Sequence, residues 1–454
     1  MIENSKIRID SGFFTKAALQ AESLVEAMPN EQLGTLAATF RKGIFDIKAD
    51  SYVEPGEGVP FIRITDIKTG MIQKEKTAWI DYAAHRIEAK TALKRGDLVL
   101  SKTAYPAAAL VSLPDCNVSQ DTIAMRLTAA AKQSFRAGYI AAFLNSSFGL
   151  AQMARRFQGN VQQHLSLEDG KSVRIPLFCV AFQDKVQSLV LRTEDEQASA
   201  IQAMQFAETA LLEALGLADW TPPEPLTYSA KASDALAAGR LDARFFAPRI
   251  QALLDILSAD GRSVSDVAKP RREKFRPELH VMFDYIEISD MDGAGATGCT
   301  RLVAAEAPSR ATWHVRPGDI ITSAVRPIRR LSAQIMPQQA GFVCSSGFVV
   351  VNPQEIASEV LLTYLRLPVI CELLDLFASA SMYPAITDAD IFNLPMPELP
   401  GAVATQVVAH VQNARAAKAR AAALLDAAKR AVEIAIENSE AAALAYLADV
   451  EGAS

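Results

Sequence analysis

Cysteine is scarce in this chain of 454 residues. Its five cysteines (Cys116, Cys179, Cys299, Cys344 and Cys371) lie far apart and form no C-x-x-C pair. An odd, dispersed set argues against a disulfide framework or a cysteine-rich zinc site, and for a reducing compartment. The five histidines (His85, His164, His280, His314 and His410) are isolated and form no metal-ligand pattern. No G-x-S-x-G turn and no G-x-x-x-x-G-K-[ST] phosphate loop occurs. The N-P-P-[YF] or D-P-P-Y loop of amino-methyltransferases is also missing, since Asn352-Pro353 is followed by Gln354. Long apolar runs are missing too. The stretch 331–355 is broken by Pro337, Gln338, Gln339 and Pro353 and could not cross a bilayer as a helix. The opening MIENSKIRID has no apolar core, so no secretory signal is expected. A cytoplasmic protein without membrane contact, cofactor or catalytic residues of its own is expected.

Excess positive charge is lacking as well. The net charge is −6, which alone argues against a protein that coats nucleic acid. The balance is uneven, however. Residues 1–180 hold 22 Lys and Arg against 18 Asp and Glu, whereas 181–238 hold 3 against 9. The acidity is concentrated in one helical stretch, and the first part is mildly basic.

What the sequence does have is a long repeat. RIDSGFF at 8–14 matches RLDARFF at 240–246, and FIRITDI at 61–67 matches YIEISDM at 285–291. LKRGDLV at 93–99 matches VRPGDII at 315–321, and IPL at 175–177 matches LPM at 394–396. The order is kept while the offset shrinks slowly, as loop insertions would produce. Two homologous halves in tandem are expected. Each reads as a short amphipathic helix (17–26; 248–257), β-type runs, a helix (135–157; 358–377), an I/L-P turn and a long helix. In the long helices apolar residues step by three and four, through Val186, Leu189, Thr193, Ile201, Met204, Leu211 and Leu215, and through Val407, Val411, Ala414, Ala421, Leu425, Ala428, Val432 and Ala435. That is the coiled-coil period. Pro222-Pro223-Glu224-Pro225 ends the first of them.

The expected fold class is therefore mixed α/β: two tandem homologous α/β domains separated by two long helices that form an antiparallel coiled-coil shaft. The boundaries are a first domain at 1–180, a first spacer helix at 181–220 and a Pro-rich linker at 221–238. A second domain at 239–400 and a second spacer helix at 401–454 complete the chain. Two decoys are set aside. The G-x-G-x-x-G at 293–298 leaves too few residues before Pro308 for the helix and strand of a dinucleotide fold, and reads as a flexible loop. Asp81 with Glu88-Ala89-Lys90 has a helical period and no counterpart in the other half.

The ordered set PFIRITDI (60–67), GDLVLSKT (96–103), GNVQQHLS (159–166), IPL and the closing helices resembles the specificity (S) subunit of type I restriction-modification systems, over almost the whole chain. The second half departs from it: ASASMYPAI at 378–386 replaces the Gly-Asn-Gln stretch, so Gln162 has no obvious equivalent there. The resemblance implies two target-recognition domains that read a bipartite DNA sequence, one half-site each. It also implies spacer helices that recruit two adenine-methyltransferase subunits, which bind S-adenosylmethionine, and an assembly to which motor-nuclease subunits can add. Alternatives are a specificity-like subunit of another methylation-based phage-defence system, a self-contained methyltransferase or restriction enzyme, and a coiled-coil adaptor without DNA contact.

DNA contact needs Arg on guanine, Asn or Gln on adenine, and cations on phosphate. In the first half Lys102, Arg155, Arg156, Gln158, Asn160, Gln162, Gln163 and His164 offer that inventory. In the second half Lys269, Arg271, Arg272, Lys274, Arg276, Arg326, Arg329, Arg330 and Tyr383 do. Phe13, Phe14, Phe245 and Phe246 read as core residues. If the helices form the shaft, they set the distance between half-sites. Four residues inserted near Gln197 and near Lys418 add about 6 Å, or roughly two base pairs of unread spacer. Mapping methylated adenines checks this: the half-site sequences stay while the spacer grows.

Overall fold

The computed structural model describes all residues except 1–14, 68–69, 75–76, 160–162, 279, 293, 379–384 and 453–454. Contacts divide it into two compact units, one of Met1–Ala198 with Ala417–Ser454 and one of Ser199–Ala416.

Each unit holds a four-stranded antiparallel sheet of the same order. In the first, Ala37–Lys42, Thr122–Leu127, Leu98–Ser101 and Ala108–Leu110 lie side by side. In the second the order is Ala268–Pro270, Phe348–Pro353, Ile320–Ser323 and Ser332–Gln334. The central strands are apolar on both faces because both faces are covered. Leu98 and Leu100 join the helical core, whereas Val99 faces a second core with Ile62, Ile67, Leu93 and Val118. The second unit repeats this position by position: Ile321 packs with Ile286, Met291, Val315 and Cys344. Fully burying one such aliphatic side chain contributes about 1.5–3 kcal/mol, so these positions constrain the sequence most.

A second small sheet in each unit contains a parallel pair. Phe61 and Ile62 register with Asn117 and Val118, as Tyr285 and Ile286 do with Val343 and Cys344. The turn after this strand is closed by an aspartate that accepts a backbone N–H three residues back: Arg63 to Asp66 at 2.9 Å and Glu287 to Asp290 at 2.8 Å. The I/L-P turns are pinned alike, since Tyr139 Oη donates to Pro176 O at 2.8 Å and Tyr364 Oη to Pro395 O. The repeated motifs thus mark buried joints of the fold.

The two helices expected at 135–157 and 358–377 are each two. The first is Ala137–Leu144 and Ser147–Arg156, because Ser146 Oγ caps the second piece by accepting from Gly149 N. The second is Ser358–Arg366 and Pro368–Phe377, where Pro368 cannot continue the preceding helix. The long helices are Val180–Ala214 and Gly401–Glu437, and a further helix, Glu440–Gly452, follows. Both long helices also contribute to the cores of the units. In the first unit Val186 and Leu189 share one core with Tyr139, Ile140, Ala428 and Val432. In the second Leu211 and Leu215 share one with Leu253, Val407 and Val411. Within the first unit the two helices run antiparallel: Cys179 N donates to Glu440, and Glu196 pairs with Arg420 at 2.8 Å. Ala200 and Ala207 are buried, while Ile201 and Met204, expected in the seam, are only half-buried.

Residues 221–238 carry one short exposed helix, Ala232–Ala238. Asp81 caps the helix Tyr82–Ile87, which disposes of the nuclease-like decoy. Among the described residues, Gly295 and Gly298 lie in a loop held by Asp292, whose carboxylate accepts from Ala294 N and Ala296 N. Phe245 is half-buried against the second unit's core, its ring edge-on to Phe246 and 4.6 Å under the Arg240 guanidinium. Phe13 and Phe14 lie outside the described residues. No described helix is long and apolar enough to cross a membrane.

Candidate nucleic-acid interface

Both large sheets have an edge where two strands end and the strand between them begins. In the first unit Lys42 and Leu100 both register with Ile123, at the start of Thr122–Leu127. Lys102 therefore leaves the sheet on the same edge as Lys42. There the chain is latched to the loop after the helix Ser147–Arg156. Thr103 bridges His164, Ala104 N donates to Gln163 O at 3.0 Å, and Leu165 N to Lys102 O at 2.7 Å. The loop closes on itself through two backbone bonds between Gln158 and His164, of 2.8 and 2.7 Å. Gly159, with φ 116°, takes the turn that a side chain would strain. The Gln163 and His164 side chains are exposed, while Gln158 is half-buried and donates to Asp169 at 2.9 Å. Asn160 and Gln162 lie outside the described residues.

The second unit builds the same edge from different residues. Val325 bridges Ala385, and Ile386 N donates to Ala324 O at 2.9 Å, just as Leu165 does to Lys102. The residue that follows is left-handed in both: Ala104 at φ 62° and Arg326 at φ 52°. Positive φ is uncommon outside glycine, so the shared angle at equivalent positions marks one turn geometry common to both halves. Arg326 and Arg329 are exposed on it, next to Ile328. Tyr383 lies outside the described residues. The structure thus brings together Lys102, Gln163 and His164 in one half, and sets Arg326 and Arg329 on the turn that follows the Val325–Ala385 bridge in the other.

Four expected contacts are corrected. Arg155 is buried, its guanidinium on Glu22, and Arg156 bonds Glu22 at 2.5 Å and Ser172 Oγ at 2.8 Å. The helix Lys16–Glu26 packs along Ser147–Arg156 and supplies that carboxylate, so neither arginine faces outward as a base reader. Arg271 sits on buried Asp319 at 2.5 Å, and Arg330 on Glu208. The remaining basic run is mixed. Lys269 donates to Ser265 O at 2.7 Å and Arg272 meets Asp388 at 3.0 Å, both on the surface, while Lys274 and Arg276 are exposed.

Asp319 has a counterpart that explains the Arg271 pair. In the first half Asp97 accepts from Lys94 N at 2.9 Å and from Arg126 Nη2 at 2.6 Å. In the second, Asp319 accepts from Arg316 N at 2.8 Å, but the register puts Asn352 where Arg126 stands. Arg271, from the neighbouring strand's end, supplies the missing cation. Electrostatically, Lys102 is the distinctive surface group: burial, and next the Lys42 charge, pull its ammonium below the usual lysine range, against attraction from Asp121. Lys42 was not visible as a site residue in the sequence, being one cation among ordinary neighbours. No group of three or more His, Cys, Asp or Glu side chains that could hold a metal ion occurs among the described residues.

No protein-family model and no curated protein matches the sequence. Among solved structures the chain is similar to the S subunit of a type I restriction-modification system from M. genitalium, at 12% identity and TM-score 0.41, over 88% of this chain and 94% of that one. It is also similar to the HsdS subunit from Thermoanaerobacter tengcongensis, at 15% identity and TM-score 0.29, over 90% and 96%. A third, from a study of complex assembly and conformational transition in a type I system, has 16% identity and TM-score 0.27, over 88% and 97%.

Proposed function

We propose that this chain is the DNA-reading, non-catalytic specificity subunit of a type I restriction-modification complex, acting in the cytoplasm. Each half reads one half-site of a bipartite target. The long helices recruit two adenine-methyltransferase subunits, which bring S-adenosylmethionine, and motor-nuclease subunits join the same assembly. One observation carries the reading: the same latched sheet edge occurs in both halves, with the same left-handed turn, but with different exposed side chains. A repeated scaffold with divergent polar tips is what reading two unlike half-sites requires, because scaffold contacts position and side chains specify.

The test is to map methylated adenines in cells carrying variants of this chain. Changing Gln163 or His164 should alter one half-site only, and changing Arg326 or Arg329 the other, each by about 1–3 kcal/mol of discrimination per lost base contact. The purified chain alone should neither methylate nor cut DNA. Methyl transfer by the contaminant-free chain, or equal relaxation of both half-sites by a single change, sinks the proposal.

A further inference from the structure

At the sheet edge of the first half stand two groups that the sequence did not single out, Lys42 and Phe45. Lys42 is exposed at the end of the strand Ala37–Lys42, and Gly43 N donates to Thr122 O at 3.1 Å. Gly43 fits there because its backbone lies against Val118 O and Ser119 O, where a Cβ would stand 2.3 and 2.2 Å away. Ile44 then bridges Ser119 and is buried, which leaves its neighbour Phe45 outside the core, 69% exposed as a residue. The Lys42 ammonium lies 4.7 Å over that ring. Asp46, at φ 56°, turns the chain away. Lys102 leaves the same edge on the other side of the strand Thr122–Leu127, half-buried, and feels the Lys42 charge. Two carboxylates belong to the same edge: Asp46 follows Phe45 in the chain, and Asp121 attracts the Lys102 ammonium.

The second half uses the equivalent residues differently. By strand register Arg272 stands where Lys42 does, and Phe275, three residues on, where Phe45 does. Yet Arg272 is paired with Asp388, and Phe275 is packed with its ring centroid 4.7 Å from Phe283 and 5.4 Å from His314. Packing has absorbed in one half what the other presents to solvent. An exposed phenylalanine under one of two mutually repelling ammonium groups suits a ligand that is both polyanionic and aromatic. Such a ligand neutralises the lysines and covers the ring at once, and duplex DNA offers phosphates to the lysines and apolar base edges to the ring.

We propose that Lys42, Lys102 and Phe45 form a DNA clamp peculiar to the first half: the two lysines hold neighbouring phosphates and the ring lies against a base edge in the groove between them. This inference rests on the DNA-reading function proposed above and adds to it a side-specific anchor. The test uses the full-length chain and a mixed-sequence synthetic duplex, with binding followed by fluorescence anisotropy at increasing salt. Lys42→Ala and Lys102→Gln should each reduce the slope of log affinity against log salt by about 0.9, the release expected per phosphate contact. Phe45→Ala should weaken binding about tenfold with the slope unchanged, and Phe45→Trp should restore it. Unchanged thermal melting of the four variants certifies that they fold. If the wild type binds duplex and the lysine variants keep its slope, or Phe45→Ala binds like the wild type, the clamp is wrong while the DNA reading stands. If the wild type shows no salt-dependent binding at all, the DNA reading fails and the clamp with it.

Discussion

Glu22→Ala is expected to lower the unfolding free energy by about 3–5 kcal/mol, the cost of leaving a buried charge without its partner. Glu22 is 5% exposed, and both its oxygens are engaged by arginines of one neighbouring helix, Arg155 and Arg156. Arg155 is 4% exposed, so water cannot replace the lost carboxylate. Arg156, bonded also to Gln152 O and Ser172 Oγ, keeps part of its shell. Adding Arg155→Met to Glu22→Ala should recover most of the loss, since an apolar side chain of similar length fills the site without a charge. Urea unfolding of the full chain measures both variants. A loss under about 1 kcal/mol would show the triad to be solvated and reopen Arg155 as a DNA contact.

The second large effect is expected at Arg271. A phosphate-binding arginine, when removed, flattens the salt dependence of DNA binding and spares stability. The Asp319 pair dictates the reverse for Arg271→Ala: a loss of about 3–5 kcal/mol in stability, with the salt slope intact, because a fully buried carboxylate loses the guanidinium that pairs with it. The repeat supplies its own rescue. Asn352 occupies the register position of Arg126, which serves Asp97 in the first half. Arg271→Ala combined with Asn352→Arg should therefore regain much of the stability by restoring the first half's arrangement. Guanidinium unfolding and salt-titrated DNA binding on the same samples separate the two roles. A flattened slope at unchanged stability would return Arg271 to the DNA surface.

The parts of the fold legible in the sequence are those where one residue type is dictated locally or by burial on a fixed period. The GD turn, the aspartate of ITD and ISD, and the proline of the I/L-P turns recur because each closes a turn or a joint that both halves need. The short helices at Lys16–Glu26 and Pro248–Leu257 and the two long helices follow from their apolar spacing. The breaks at Ser146 and Pro368 follow from capping and proline chemistry, although a continuous apolar pattern masks them. The seam of the long helices was legible only in part. Alanines at 200 and 207 are buried while the bulkier Ile201 and Met204 are half-buried, and Ala207 joins the core of the second unit, so the covered face is not the one that the apolar spacing picks out.

The functional surface divides along the same line. Sequence alone determined the duplication, the mixed α/β class and the absence of any recognised catalytic motif, since all three rest on patterns along the chain. Only tertiary structure decided which cations are outside. Arg156 and Glu22 are 134 residues apart, and Arg330 and Glu208 are 122 apart, so no local pattern announces either pair. Conversely, Lys42 and Lys102 share an edge only because both flank the start of one strand, Thr122–Leu127. An arginine's chemistry is the same in every sequence window. Whether it meets a carboxylate or the solvent is fixed by which elements pack beside it, and that is settled by burial across the whole domain.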